Sequence, residues 1–279
     1  LPMPGIILAF KNYRPIPGKN FFEALFSSKW AGMKNFEFLF RSPDAKLMIF
    51  NTLFYNIIGL ILGIILPVTM AIILSQLRSK KLMKVSQTMM FLPHFISMVV
   101  VNYFVFAFLS YDRGYINKLI VNNGGERINF YAEPKYWRAL LIFIGQWKGI
   151  GYGTVMYLAS ITGVDQTYYE AAMIDGASKW QQIKHIMLPH LKPMIIILFI
   201  MNVGNIFRSN FDLFYQIPRQ AGALYDKYIT IDVYVFNALL GGNIKLGSAA
   251  GFLQSVIGFI TLVSANAIVR KIEPESSLF

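Results

Sequence analysis

A chain of 279 residues that is 55% hydrophobic and 14% charged carries more apolar surface than one water-soluble core can hide; an ordinary soluble domain has roughly a quarter of its residues charged. The net charge of +12 would suit nucleic acid in a soluble protein, but the basic residues lie between long apolar runs and read as loop and headgroup charges, so no nucleic-acid partner is expected. No cysteine is present, which excludes structural disulfides and thiolate metal sites.

In chain order, residues 1–10 are apolar and broken by Pro2 and Pro4. They read as the end of a first transmembrane helix that begins upstream, and not as a signal peptide, since no basic leader precedes them. Residues 11–46 hold aromatics and turn formers and read as an extracytoplasmic segment. A bilayer-spanning helix needs about 20 mostly apolar residues. Four stretches qualify: 47–77, 85–111, 139–164 with Lys148 as its one charge, and 246–269. A fifth, 193–207, becomes a full span if its helix starts near Leu188 and runs toward Arg208. The expected fold is therefore an all-α, polytopic transmembrane helix bundle with five spans in this chain plus a truncated N-terminal one. Its core covers 47–270, and a tail follows at 271–279. Charge orients the bundle weakly, because both sets of loops are basic; the cluster Arg78, Lys80, Lys81 and Lys84, in a short loop, tilts its own side inward.

The loop at 163–192 carries the most information. Thr167 and Glu170 have capping-box spacing, Gly176 suits the left-handed position just past a helix end, and Ser178 and Gln181 repeat the box. Trp180, Ile183, Met187 and Ile186 make an apolar stripe on the second helix, and Pro189 marks its junction with the next span. By capping alone, this is a helical hairpin joining two spans.

The same residues resemble the EAA loop of binding-protein-dependent ABC importer permeases: Glu-Ala-Ala, three residues, Gly, nine residues, Ile, one residue, Leu-Pro. Glu170, Ala171, Ala172, Gly176, Ile186, Leu188 and Pro189 fit every position. At about 5–10% usage per fixed position, a chance match in such a chain is on the order of one in a million. The resemblance implies the type I ABC importer permease fold, in a multi-pass protein of the bacterial cell membrane. It implies that the loop is cytoplasmic and that Glu170, Ala171, Ala172, Asp175, Gly176 and Ala177 couple it to an ATPase. It further implies two ATP-binding cassette subunits, a second homologous permease subunit in a heterodimer, an extracytoplasmic solute-binding protein, and ATP and Mg bound by the partner subunits. Asp175, Gly176 and Ala177 are similar to the carbohydrate-uptake branch. Pro2 to Asn12, Phe91 to Ser97, Gln146 to Gly149, Gly251 to Val256 and the tail from Pro274 resemble LplB-type permeases of oligosaccharides and polysaccharides. The implied cargo is a carbohydrate.

No phosphate-binding glycine loop, catalytic constellation or metal spacing is visible, and His94, His185 and His190 suit packing or an interface. Transport of a non-sugar solute remains open, and an ion-coupled secondary transporter is the competing class, although acidic residues within spans and inverted repeats are not evident. For the substrate pathway the candidates are Asn102, Gln146, Lys148, Asn202, Asn205, Asn210 and Gln254. Amides offer donors and acceptors to sugar hydroxyls, a lysine inside a span is a functional candidate by default, and Asn202 and Asn205 share a helix face. Phe207, Phe211 and Tyr215 offer flat surfaces to sugar rings. Hydrogen bonding between helices is the alternative role for each amide, and snorkelling or a structural ion pair is the alternative for Lys148.

Overall fold

The computed structural model describes residues 3–15, 17, 18, 20–37, 41–272 and 274. Residues 1 and 2 of the 1–10 segment, and residues 273 and 275–279 of the tail, lie outside the described residues, and with them those parts of the terminal resemblances. Among the described residues the chain is helical, with one isolated bridge between Lys11 and Trp30. A short α1 (Met3–Leu8) leads to α2 (Phe21–Ser27), which opens on a capping box between Asn20 and Glu23.

The longest helix, α3 (Pro43–Ser75), starts on a proline whose missing N–H costs nothing in a first turn. Its 33 residues reach about 50 Å, more than a hydrocarbon core requires. Pro67, inside it, withholds the helical donor from the Gly63 carbonyl.

Residues 85–111 do not form the unbroken span expected from the sequence. They divide into α4 (Lys80–Phe95) and α5 (Met98–Leu109), bent by 98°. Pro93 sits in the last turn of α4, Ile96 is extended, and Ser97 is extended and caps α5 by accepting from the Val100 amide at 3.4 Å. After α6 (Tyr115–Asn122), α7 (Trp137–Thr162) is long enough to span at 26 residues, but Gln146, Lys148 and its glycines make it less apolar.

The loop at 163–192 also differs from a two-helix hairpin. α8 (Gln166–Ile174) is a separate helix, whereas the second helix continues into the fifth span as α9 (Lys179–Gly204). Pro189 has no N–H for the His185 carbonyl and its ring crowds that group, so the helix widens to a π turn over Ile183–Met187 instead of ending. Four further helices follow: α10 (Phe211–Gln216), α11 (Tyr225–Tyr228), α12 (Ile231–Leu240) and α13 (Ile244–Ile272). By length and composition, α3, α9 and α13 can each cross a bilayer alone, and α4 with α5 can do so as a bent pair.

Packing centres on α3 against α7, with α4 on the other side of α7 and α9 against α13. Two apolar clusters lie among these packed helices. One joins Met48, Tyr55, Leu141, Ile144, Phe214 and Ile217; the other joins Val68, Ala71, Leu74, Tyr157, Met187 and Leu191 near the α8 end. A third, smaller one joins Leu8, Tyr13, Ala24 and Leu25 near α1 and α2. Close approach is permitted by glycine: a Cβ at Gly151 would lie 1.9 Å from the Met90 carbonyl oxygen, and one at Gly153 2.9 Å from the Pro67 ring.

Candidate functional site

Two features stand out, a capped helical corner at one end of the bundle and a groove inside it. At the corner, the N-cap of α8 is Asp165, not Thr167: its Oδ1 accepts from the Thr167 amide at 2.9 Å. A carboxylate one residue before the helix serves the free amides and the positive helix end together. The same amide bond holds the Asp165 carboxyl below the usual carboxylate range. The cap is thus fully formed at neutral pH and is lost only as pH falls through that depressed value.

Gly176 ends α8 at φ 76°, in the left-handed region. The Ala177 amide donates to Ala172 O at 2.8 Å and the Gly176 amide to Met173 O at 3.1 Å. These two bonds form a Schellman motif, which satisfies the last carbonyls of the helix. Ser178 and Gln181 form the second capping box, with Ser178 N donating to Gln181 Oε1 at 2.7 Å. Buried Gln182 ties the corner together by donating to Ala177 O at 3.3 Å. The corner is therefore a fixed shape, while no residue of α8 is buried. Glu170, Ala171, Asp175 and Gly176 are exposed, as are Tyr168, Met173, Trp180 and especially Ile174, at 86%. Of the expected stripe on the second helix, Met187 is buried, Ile183 and Ile186 are half-buried, and Trp180 is out in the open.

The groove lies between α3, α7 and α9. A cavity of ≈ 540 Å³ is lined by Gly63, Pro67, Gln146, Gly149, Asn202 and Asn205 among others. A second, of ≈ 260 Å³, shares Gly63, Asn202 and Asn205 with it and adds Asn56 and Arg208. A third, of ≈ 150 Å³, adjoins both through Asn56, Gly59, Gly145 and Gln146 and reaches Asn210. Asn202 Nδ2 donates to Leu198 O at 2.8 Å and Asn205 Nδ2 to Met201 O at 2.9 Å, each one turn back on its own helix. One donor of each amide is thus engaged locally, and both residues face the same space.

The remaining candidates lie elsewhere. Asn210 is not on the fifth span: α9 ends at Gly204, and Asn210 caps α10 through the Leu213 amide at 3.2 Å, touching only the third cavity. Lys148 points to the break between α4 and α5, where Nζ donates to His94 O at 2.9 Å and to Pro93 O at 3.4 Å. A cation on the final carbonyls of a helix is a capping arrangement. Gln254 is buried, donating to Phe207 O and to both oxygens of Asp232 at 3.1 and 3.2 Å. Asn102 is buried on α5, and its Oδ1 has no hydrogen-bond partner among the described residues. Phe211 and Tyr215 stack on one another at 5.0 Å, and both pack on Phe236 instead of lining the groove.

Asn56 and Arg208 are the residues that sequence reasoning passed over. Asn56 was detectable as a polar residue inside a span. Arg208 sits at a span end, where a basic residue is unremarked.

A multi-span helical membrane protein with a polar-lined groove and a rigid exposed corner at one end is the form of a membrane transport subunit. Residues 63–275 match the family model described as "Binding-protein-dependent transport system inner membrane component". The chain belongs to this family. It is 35% identical over 280 residues to the polygalacturonan/rhamnogalacturonan transport system permease protein YteP of Bacillus subtilis, covering 99% of this chain and 84% of that one. It is 33% identical to Protein LplB of the same organism, with the same coverage. Among solved structures, a bacterial ABC transporter involved in the import of the acidic polysaccharide alginate matches with a TM-score of 0.86 and 31% identity, covering 98% of this chain and 89% of that one. The protein is a multi-pass permease subunit of an ABC importer. It is a transport component that works with a binding protein and other transporter subunits, and the ATP is hydrolysed by partner ATPases.

Proposed function

We propose that this subunit imports a carbohydrate, an oligosaccharide or polysaccharide fragment, across the bacterial plasma membrane, and that α8 with the corner after it couples the groove to ATP hydrolysis. The corner carries the proposal. The capped α8 is joined to the 26-residue α9 through a corner held by a Schellman motif and a capping box, so a push on α8 is carried through that corner and along α9 toward Asn202 and Asn205. Exposed Ile174, Met173 and Trp180 beside Glu170 suit a cleft of an ATPase subunit, with Ala171, Ala172, Asp175, Gly176 and Ala177 at or next to the contact. That assignment puts 163–192 on the cytoplasmic face and 11–46 outside. ATP and Mg then belong to two partner cassette subunits.

Substrate passes along the groove, with Asn202, Asn205 and Gln146 as its polar contacts. YteP is the permease of a polygalacturonan/rhamnogalacturonan transport system, and the solved neighbour is involved in the import of alginate, which supports a sugar cargo. Among the described residues the groove has walls from α3, α7 and α9, the linker after α9 and the start of α10, and a second homologous permease subunit, in a heterodimer, would supply the facing wall.

The test is uptake into proteoliposomes holding the complete transporter. Uptake should require ATP, the cassette subunits and the binding protein, and Glu170→Ala and Gly176→Val should uncouple hydrolysis from it. Normal ATP-driven uptake by both variants removes the coupling assignment.

A further inference from the structure

We propose that Arg208 makes the groove selective for anionic sugars by pairing with a uronate carboxylate while the amides meet hydroxyls; this rests on the transport reading above. Among the described residues lining the three joined cavities, Arg208 is the one with a charge; the others are apolar, glycine, proline, tyrosine or amide. A neutral oligosaccharide would leave that cation facing the substrate with no counter-charge from the wall.

The backbone that carries Arg208 is fixed from two sides. Asn56 on α3 donates to Ile206 O at 2.6 Å and to Arg208 O at 2.9 Å. The next residue, Ser209, donates to Asp232 from its amide at 2.6 Å and from its hydroxyl at 2.8 Å. Arg208 therefore springs from a held segment and not from a loose loop, which lowers the ordering cost of binding. The acidic group nearest in this network is already committed, because both Asp232 oxygens accept from Gln254 and one also from Ser209.

Chemistry then selects the ligand. A guanidinium presents two parallel N–H donors that match a carboxylate, and such charge-assisted bonds are about twice as strong as neutral ones. Enclosure between the helices reduces screening of the pair relative to open water. A polyuronate brings a carboxylate on each sugar, so the pairing can be passed from residue to residue as the chain advances.

The experiment uses the complete transporter in vesicles of phosphatidylcholine alone. The probes are galacturonate tetramer and its fully methyl-esterified form, with uptake divided by the binding protein's occupancy with each. Wild type should prefer the acid. In Arg208→Gln the acid-to-ester ratio should fall about tenfold, and Arg208→Lys should restore part of it. An equal fall for both sugars, or a wild-type ratio near one, overturns the proposal while leaving sugar transport intact. Absence of ATP-driven uptake of either sugar by wild type overturns the transport reading and this proposal with it. An Arg208 effect seen only after anionic lipid is added assigns the arginine to headgroups and overturns selectivity.

Discussion

Asp232 on α12 holds Ser209, in the linker after α9, through two hydrogen bonds of 2.6 and 2.8 Å, and Gln254 on α13 donates to the same carboxylate at 3.1 and 3.2 Å. One carboxylate thus ties three elements together beside the groove. Asp232→Ala would leave the Ser209 amide without its acceptor and the Gln254 amide with the Phe207 carbonyl alone, at a cost of about 2 kcal/mol. A lower thermal midpoint of the purified subunit, with a larger loss for Asp232→Ala than for Asp232→Asn, is the expected result. Equal midpoints for wild type and Asp232→Ala would show that the network contributes little.

Glycine positions on α7 should separate sharply. At Gly151 a methyl group would lie 1.9 Å from the Met90 carbonyl oxygen, whereas at Gly149 nothing lies within 4 Å. Gly151→Ala must push α4 away from α7, costing about 3 kcal/mol or more, and should prevent recovery of folded subunit from membranes. Gly149→Ala should be recovered at wild-type yield. Similar yields for the two would mean that α4 and α7 are not packed this closely.

Lys148 is expected to act through structure. With Nζ on the His94 and Pro93 carbonyls it caps α4 at the break before α5, and Lys148→Met keeps most of the apolar stem while removing the donor. The loss should be about 1–2 kcal/mol of stability. Substrate preference should not change. A changed preference at unchanged thermal midpoint would return Lys148 to the pathway.

Gly176 offers a test of conformation separate from contact. Its φ of 76° is strained for residues with a side chain, yet nothing lies within 4 Å of a Cβ there. The penalty for substitution is therefore in the backbone, about 1–2 kcal/mol, and smaller for asparagine, which visits the left-handed region more readily. Stimulated ATPase activity should rank wild type above Gly176→Asn and Gly176→Asn above Gly176→Val. The reverse order would place steric contact with a partner above helix termination.

The sequence made the apolar lengths of α3, α7, α9 and α13 legible because a bilayer demands them, and it made Gly176 and Ser178 legible because caps depend on local chemistry. It concealed what depends on partners far along the chain. The break at Ile96 and Ser97 needs Lys148, more than 50 residues away, to satisfy carbonyls that a run of apolar letters does not show to be free. The continuity of α9 through Pro189 was hidden for a different reason, since proline usually reads as a boundary and here a widened turn absorbs it. In the groove, Asn202 and Asn205 were legible from their spacing. Gln254 had the same letter chemistry, yet it is consumed by Asp232, and residue type alone does not tell a lining amide from a buried one.

Asn202 and Asn205 give the most direct test of the groove. Each amide donates to a carbonyl of its own helix, at 2.8 and 2.9 Å, so neither bridges to another helix through that bond. Removing them should cost little stability: the carbonyls they contact are helical ones, and both side chains are exposed to the cavity. Asn202→Ala and Asn205→Ala should each assemble with wild-type thermal midpoints to within about 0.5 kcal/mol. Their transport should fall, because a sugar hydroxyl that leaves water must find a replacement partner, and one lost hydrogen bond is worth about 1 kcal/mol, or roughly fivefold in rate. The double variant should lose more than either single, with ATPase stimulation by the binding protein retained. If instead both variants assemble poorly and lose ATPase stimulation to the same degree for every sugar, these amides hold the bundle together and the pathway runs elsewhere.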